Sequence, residues 1–596
     1  MGDNRNIDAP ASRAAPPPVP RAVLRQAGRR PDRAAVEYGG GSWTYAELVR
    51  QADAVRTRLV ASGLRPGERV ALMLDRSPDL VAAALGVLLA GGTYVGLDVR
   101  EPPARLATML ADADARAVLT DEAGAARLPP GRPVFLVAAE PGNGATTAVA
   151  PDEPSPAQPC YVTYTSGSTG TPKGVEVTHG GAANLVRWYG ERFAVGEGDR
   201  MPQLARPSFD GWSLEVWPCL AHGATLCIPP DGVLRSAEGL TRWLTDERIT
   251  VCFLTTALGT EVLAQPWDAS RSRLRAFLVG GEQLRADPPA HLPFAVYNVY
   301  GPTETAMLAT CHDFATAGAS TGPPPIGVPL TGVTAHVLDE RLRPVAAGGT
   351  GELYLGGSGV AQGYLSRPGL TAARFVADPF AGGPARLYRT GDVVRPLPGG
   401  ALEFVGRADS QVKLRGFRIE PGEVESAARA LPSVGDAVAV VHEPASGSAL
   451  LVLHVIPADS AAPPEPNALR KELAAVLPDY LTPAGVRVLA AFPTNGHGKI
   501  DRAALAALRP HDESPSDAGP LTGLEGLLAE LWCEVLPITA AGRDDSFFDL
   551  GGDSLTAMRV AAKARRRGLR LGAEDLFEHE VLSELAAALE EAGAQA

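Results

Sequence analysis

Cysteine is scarce in this chain: six among 596 residues, at positions 160, 219, 227, 252, 311 and 533, with no C-x-x-C pair. That spacing excludes a disulfide scaffold and suits a reducing compartment, so a cytoplasmic location is expected. Only Cys311 has a histidine beside it, His312, and two adjacent residues do not make a zinc site. Long apolar runs are missing too. No stretch approaches the roughly 18 residues needed to cross a bilayer, so no membrane span is expected. The start, Met1-Gly-Asp-Asn-Arg-Asn6, is too polar for a signal peptide and lacks the Ser or Thr of a myristoylation signal. Positive charge is in deficit, with 55 Lys and Arg against 68 Asp and Glu and a net charge of −13. That balance favours solubility and argues against nucleic acid as a main partner. The short basic cluster Arg565-Arg-Arg567 reads as a solvated helix face or a docking spot.

What remains is the composition of a large globular protein. At 62.0 kDa the chain has room for about four folding units. The Pro- and Ala-rich run through Pro20 reads as a disordered lead-in, 1–20. From 21 to 408, apolar helical stretches alternate with short β-branched strands, the pattern of a layered α/β fold. Ser77 to Leu89 is one such helix, and Val251-Cys-Phe-Leu254 is one such strand. Beyond Asp409 the texture changes. Gln411 to Glu420 alternates like a hairpin and leads into a smaller α+β unit, 409–508. Residues 509–520 are polar and proline-rich, a linker. From 521 to 592, Leu524, Leu527, Leu528, Leu531 and Val535 fall at helical spacing. Two further helical patterns follow, around Leu555–Arg567 and Val581–Glu591, so a small all-α helical bundle is expected.

The most informative stretch is Ser166-Gly-Ser-Thr-Gly-Thr-Pro-Lys-Gly174. Its glycines let the backbone approach an anion, its hydroxyls and amides donate to phosphate oxygens, and Lys173 adds charge. The strand-like Cys160–Thr165 precedes it and the helical Asn184–Tyr189 follows, which predicts a loop at the end of a strand in an α/β unit. It is not a Walker A loop: Pro172 precedes the lysine and Gly174 follows it, so kinase and GTPase readings fall.

The loop resembles the phosphate loop of the adenylate-forming enzymes. Several further segments resemble, in order, the adenylation domains of nonribosomal peptide synthetases, over most of the chain from about residue 30. Asn298-Val-Tyr-Gly-Pro-Thr-Glu-Thr305 looks like that family's adenine- and metal-binding segment. Tyr300 offers a face for a purine, and Thr303 and Glu304 offer oxygens for Mg2+, a hard cation. Tyr388-Arg-Thr-Gly-Asp392 places Asp392 where the family holds the ribose hydroxyls, with Arg407 as its companion. Gly351 to Gly357 resembles a structural strand and turn. The resemblance implies an ATP site from Thr165, Ser166, Gly167, Ser168, Thr169, Gly170, Lys173, Gly281, Glu282, Asn298, Tyr300, Gly301, Thr303, Asp392 and Arg407. Glu304, Thr169 and Lys499 would serve the chemistry, and Asp409 would be the hinge of the smaller unit. Lys499, in Gly496-His-Gly-Lys-Ile-Asp501, matches the lysine the family inserts into its active site. Two anions, a carboxylate and the α-phosphate of ATP, must meet there, and fixed positive charge offsets their repulsion.

The amino-acid site is implied in the same way. Asp210, in Ser208-Phe-Asp-Gly-Trp-Ser-Leu-Glu215, resembles the carboxylate that pairs with a substrate ammonium. Gly211, Leu214, Phe253, Leu278, Gly280, Val299, Met307, Leu308 and Lys499 would line the rest. All but Asp210 and Lys499 are apolar or lack a side chain, so an aliphatic substrate such as isoleucine or valine is expected. An aromatic amino acid is the runner-up if Gly280 leaves depth. Trp212 and Leu214 depart from the usual pattern, which has a small residue and often an aromatic there. The segment Ala90–Asp98 lacks the usual proline, and His497 replaces the commoner Asn.

Phe547-Phe-Asp-Leu-Gly-Gly-Asp-Ser-Leu555 resembles the modification site of peptidyl carrier proteins. Ser554 would carry 4'-phosphopantetheine at a helix N-terminus, behind two glycines that leave it accessible. The chain therefore reads as an enzyme that activates an amino acid with MgATP and loads it onto its own carrier. An acyl-CoA or aryl-acid ligase releasing a soluble thioester, and an inactive scaffold of the same fold, are the rivals. Partners implied are a phosphopantetheinyl transferase, a condensation or tailoring enzyme acting in trans and, for some family members, an MbtH-like helper. With little sequence outside the adenylation and carrier segments, a stand-alone loading module is expected.

Overall fold

The computed structural model describes residues 7–8, 15–137, 153–167, 170–316, 322–346, 348–414, 416–442, 449–496, 498–508, 521, 523–536, 538, 540–548, 550–552 and 554–594. Ser168, Thr169, His497, Asp553 and the expected linker 509–520 lie outside them. The chain forms two compact units: Met1–Thr165 with Pro172–Asp231 and Thr241–Asp409, and Ser166–Thr171 with Gly232–Leu240 and Ser410–Ala596.

The first unit is layered α/β. Five parallel strands, Val134–Leu136, Ala117–Thr120, Arg69–Met73, Thr93–Gly96 and Pro159–Thr165, lie side by side in that order. The antiparallel strands Lys173–Thr178 and Gly363–Tyr364 complete this seven-stranded sheet. A second sheet runs Val251–Thr255, Ala276–Gly280, Ala295–Tyr300, Thr310–Asp313 and Val328–Pro329, with its first three strands parallel. An antiparallel sheet follows, built on Val333–Leu338, Gly351–Gly357 and Arg386–Pro396.

Local chemistry sets these elements. The helix Pro78–Leu89 is capped by Ser77, whose hydroxyl accepts the Leu80 amide at 3.2 Å, with Pro78 in the first turn. It is buried on nearly every side, and a second helix, Tyr45–Ala61, lies against it at Gly86. A Cβ on Gly86 would stand 2.6 Å from the Ala52 carbonyl oxygen, so only glycine permits this approach.

The glycine-rich loop sits at the end of the strand Pro159–Thr165, as expected, and the element after it is a second strand rather than the helix. Thr165 faces Lys173 across an antiparallel pair, so the loop closes a β-hairpin, and the helix His179–Phe193 starts only after the second strand. Lys173-Gly-Val-Glu-Val-Thr178 alternates with β-branched types, and Thr178 caps the helix through the Gly181 amide at 3.1 Å. One sequence expectation needs correction: the lead-in read as disordered over 1–20 includes elements of regular structure. Ile7 and Asp8 pair with Ala335 and Thr334, and a helix begins at Val19 with Pro20 in its first turn, where no amide is required.

In the second unit the hairpin Val412–Leu414 and Phe417–Ile419 leads into a sheet of Val434–His442, Leu450–Pro457 and Gly485–Val488. The helices Pro421–Arg429, Pro466–Ala474 and Arg502–Ala507 accompany this sheet. The C-terminal bundle has helices Gly523–Val535, Ser554–Arg566, Ala573–Glu578 and Leu582–Ala594. The third escapes a periodicity reading because six residues span fewer than two turns. Trp532 and Phe547 are fully buried at its centre, 5.2 Å apart.

Glu215 offers a stability test within the first unit. Its buried carboxyl accepts the Leu204 and Ala205 amides at 2.8 and 2.9 Å. Burial pushes it up to about 8, and those amides and Arg76 offset only part of the shift. A folded-state value above the unfolded one means a stabilising contribution that is complete below about pH 4.5 and lost as pH rises through about 8. Glu215→Gln should therefore gain in Tm relative to the parent as pH goes from 5 to about 9, read by calorimetry. A Tm difference independent of pH would contradict this.

Candidate active site

The hairpin loop is shaped by its glycines. A Cβ on Gly167 would stand 1.9 Å from the Thr171 carbonyl oxygen, and Gly170 takes a φ of +85°. In the second unit, the Ser166 hydroxyl donates to the Arg418 carbonyl at 2.6 Å and accepts the Glu420 amide at 3.1 Å. The Gly167 amide donates to Glu423 Oε2 at 3.0 Å. A loop amide thus holds an anionic oxygen, the chemistry a phosphate presents.

In the first unit the Thr165 hydroxyl is buried with no partner among the described residues, and an incoming oxygen donor or acceptor would satisfy it. Lys173 is buried beside it in sequence register, its ammonium 5.4 Å from the centre of the Tyr364 ring. The Tyr364 hydroxyl donates at 2.7 Å to Glu304 Oε1, which is fully buried. Lysine, aromatic face and carboxylate form one continuous polar line inside an otherwise apolar layer.

A second cluster gathers on Asp392. The Tyr300 hydroxyl donates to its Oδ2, and the Arg407 guanidinium pairs with its Oδ1. Burial and the charge of Asp392 hold the Tyr300 phenol far above its ordinary range, so it remains a donor. Each carboxylate oxygen accepts two hydrogen bonds, which leaves capacity for hydroxyls of a sugar. Arg407 continues to Asp409 Oδ1 at 2.7 Å, and Arg374 reaches Asp409 Oδ2 at 3.3 Å. Burial pushes the Asp409 carboxyl up, and Arg407 and Arg374 more than reverse this, holding it below the usual carboxylate range. Gly391, with φ +79°, is required here because a Cβ would stand 2.7 Å from Asp409 Oδ2. The Asn298 side chain donates to the Pro325 carbonyl at 2.8 Å, and Glu282 offers its own carbonyl to Thr256 at 3.1 Å. Gly281 takes a φ of +97° directly after Gly280.

The third cluster surrounds Asp210, the residue before the helix Gly211–Ala221. Its carboxylate makes no capping bond to the first turn's far amides and instead accepts the Thr303 hydroxyl at 2.6 Å on Oδ2. Burial pushes this carboxyl up to about 6; Thr303 and the nearby amides pull it down, and the charge of Glu304 pushes it up again. Phe253, Leu278, Gly280 and Val299 occupy one face of three adjacent strands, because Phe253 registers with Leu278 and Gly280 with Val299. A Cβ on Gly211 would stand 3.4 Å from the Phe253 ring, which brings the Asp210 turn against this wall.

Met307 and Leu308 follow the short 3-10 turn Thr303–Thr305. Ala306 and Met307 both have positive φ, 55° and 75°, a strained pair of non-glycine residues of the sort found at ligand sites. The bend is held by the Ala309 amide on the Tyr300 carbonyl at 2.8 Å. Leu214 is fully buried in the same core, and Trp212 packs edge-on against Tyr94 and Trp217, at 5.8 and 5.6 Å.

Lys499 and Ser554 belong to the second unit. Lys499 is exposed on a turn whose ends close through the Asn495 amide and the Lys499 carbonyl, at 2.8 Å. Ser554 is the first residue of its helix, after Gly551 with φ +90° and Gly552, whose Cβ would stand 2.3 Å from the Phe547 ring. Tyr364 was missed at the sequence level. It lies 60 residues from Glu304, and no spacing rule connects them.

Comparison with known proteins shows the family of the chain. Residues 23–365 match the family described as AMP-binding enzyme, 423–499 its C-terminal domain, and 526–589 the phosphopantetheine attachment site. The chain is 41% identical over 579 residues to one of the linear gramicidin synthase proteins of Brevibacillus parabrevis, covering 95% of this chain and 7% of that one. It is 39% identical over 579 residues to the phosphinothricin tripeptide synthetase PhsC of Streptomyces viridochromogenes, covering 95% of this chain and 52% of that one. The chain thus spans about half or less of these curated relatives. Among solved structures it resembles holo-PA1221, a nonribosomal peptide synthetase protein containing adenylation and carrier domains. That likeness has a TM-score of 0.82 and 28% identity, covering 97% of each chain.

Gly301 tests the local geometry. A Cβ there would stand 2.3 Å from the Met307 carbonyl oxygen and 2.6 Å from the Leu308 Cα. Gly301→Ala should unseat the strained bend and cost about 1–3 kcal/mol in denaturant melts. A loss below about 0.5 kcal/mol would show that the bend relaxes freely.

Proposed function

Because the chain belongs to the AMP-binding enzymes and carries a phosphopantetheine attachment domain, we propose that it activates an amino acid and loads it on its own carrier. The observation that carries this reading is Asp210: a buried carboxylate beside an apolar wall, a poor place for a carboxylate unless a cation comes to it. A substrate ammonium supplies that cation. Fatty-acyl and aryl-acid substrates have none, which disfavours the acyl-CoA ligase reading.

ATP is the second substrate. The Gly167 and Gly170 loop, the Thr165 hydroxyl, which has no partner among the described residues, and Lys173 suit its phosphates. Asp392, paired with Arg407, suits its ribose, and Tyr300 buttresses Asp392 while offering a face to the base. The Glu304 carboxylate suits Mg2+, a hard cation that would spread the charge building on the phosphate oxygens, while the Thr303 hydroxyl, offered for the same ion on the resemblance, is engaged by Asp210. Ser168 and Thr169 complete the loop's roles on the family resemblance. Lys499 serves the carboxylate–phosphate encounter, where attack by the amino-acid carboxylate on the α-phosphorus expels pyrophosphate and leaves the aminoacyl adenylate. Asp409, the last residue of the first unit, is the hinge for the second. Ser554, at a helix N-terminus, would hold the pantetheine arm, whose thiol takes the aminoacyl group as AMP leaves.

The pocket favours an aliphatic amino acid such as isoleucine or valine. Phe253, Leu278, Val299, Met307 and Leu308 are all buried apolar residues, and a charged side chain would lose its hydration at a cost of several kcal/mol. Gly280 supports the aliphatic choice over an aromatic one: the space its Cβ would take is already filled by the Val299 carbonyl, 2.5 Å away. Neighbouring aliphatics should compete, since one methylene is worth only about 1–3 kcal/mol. The carrier calls for a phosphopantetheinyl transferase and a downstream condensation or tailoring enzyme; an MbtH-like helper is a further partner to test by co-expression. Six free cysteines suit the cytoplasm, and among the described residues no helix is long and apolar enough to cross a membrane.

ATP–pyrophosphate exchange over an amino-acid panel tests the reading. Isoleucine or valine should drive exchange best; an acidic or basic amino acid ahead of all aliphatic and aromatic ones would overturn the pocket assignment. Lys499→Ala should lower exchange by on the order of 10²–10³ while transfer from supplied adenylate persists. Near-normal exchange in that variant would remove Lys499 from the adenylation step.

A further inference from the structure

Thr303 stands in a segment read as nucleotide- and metal-binding, yet its hydroxyl points elsewhere. It donates at 2.6 Å to Oδ2 of Asp210, 93 residues away in sequence. Asp210 needs such a donor. It is buried, and its side chain does not cap the helix it precedes. A carboxylate in such surroundings rotates or takes up a proton unless donors fix its charge and its plane. The turn Thr303–Thr305 that supplies the donor is itself firmly placed. The Thr305 amide and hydroxyl both bond the Pro302 carbonyl, and the Glu304 carbonyl accepts the Ala361 amide at 2.9 Å.

We propose that Thr303 is a positioning residue for amino-acid recognition: its hydroxyl holds Asp210 by Oδ2 and leaves Oδ1 turned to the substrate's ammonium. This role rests on the amino-acid reading above and goes beyond it, because it places a selectivity determinant outside the pocket wall. A hydrogen bond to an ionised group is among the strong ones, so its removal from a buried carboxylate has a large effect on whatever that carboxylate binds. The ammonium is the part of the substrate affected. The apolar side chain, held by Phe253, Leu278 and Val299, is not.

The test is equilibrium binding without nucleotide, by titration calorimetry on the full chain. The probes are L-isoleucine, or the amino acid that the exchange panel selects, and its desamino acid, 3-methylpentanoate for isoleucine. In the parent protein the amino acid should bind well ahead of the desamino acid. T303V should weaken the amino acid at least tenfold while changing the desamino acid less than threefold, so discrimination by the ammonium collapses. T303S, which keeps the hydroxyl, should stay within threefold of the parent, and T303A serves as a second hydroxyl-free variant if T303V does not fold. Wild-type discrimination in T303V or T303A would overturn the proposal. Equal weakening of both probes would overturn it too, since that is the mark of a merely structural role. A parent protein that binds the desamino acid as tightly as the amino acid would instead overturn the amino-acid reading itself.

Discussion

A carboxylate taken out of water must be matched by donors or by a cation, and Asp210 shows how much of a fold that demand can organise. Its burial beside an apolar wall pushes its carboxyl up to about 6, against the pull of Thr303 and nearby amides. Those groups narrow the mismatch without removing it, since Glu304 adds a second negative charge close by. The arrangement makes sense for a site that receives a cation. Around it, the strands Val251–Thr255, Ala276–Gly280 and Ala295–Tyr300 supply a wall with no charge of its own, and the bend after Thr305 brings Met307 and Leu308 into the same core. On the amino-acid reading proposed above, recognition would be divided: one end of the ligand read by charge, the other by shape.

The polar groups are connected rather than scattered. Lys173 lies over the Tyr364 ring, Tyr364 donates to Glu304, and Thr303, next in the chain, donates to Asp210. Asp392 and Asp409 share Arg407 in the same way. In a low-dielectric interior such lines act as units, because removing one member leaves its neighbours exposed to an unmatched charge. The glycines serve these lines. Gly391 makes room for Asp409, and Gly301 for the backbone of Met307 and Leu308.

Much of this was legible in the sequence, because motif residues lie close together along the chain. Ser166–Gly174, Asn298–Thr305, Tyr388–Asp392 and Phe547–Leu555 each carry the family resemblance within ten residues. The layered α/β part, the smaller α+β part and the helical bundle were legible from apolar period alone. The omissions are local. The strand Lys173–Thr178 is absent from the sequence reading, although the alternation of Val175 and Val177 marks a hairpin arm. The helix Ala573–Glu578 was too short to show a period. Tyr364 and the Thr303–Asp210 bond were invisible for another reason: they are contacts across 60 and 93 residues, and only the folded chain brings them together.

The central claim joins two parts of one chain, an adenylating site and a carrier serine. Intact-protein mass spectrometry tests that junction directly. The protein is first treated with a phosphopantetheinyl transferase and coenzyme A, then given MgATP and the preferred amino acid. The expected result is a pantetheine mass on the peptide containing Ser554, followed by one aminoacyl mass on the same peptide, with AMP formed. A protein that makes AMP while its pantetheinylated Ser554 peptide never gains the aminoacyl mass, or that delivers the amino acid to free coenzyme A instead, would contradict it.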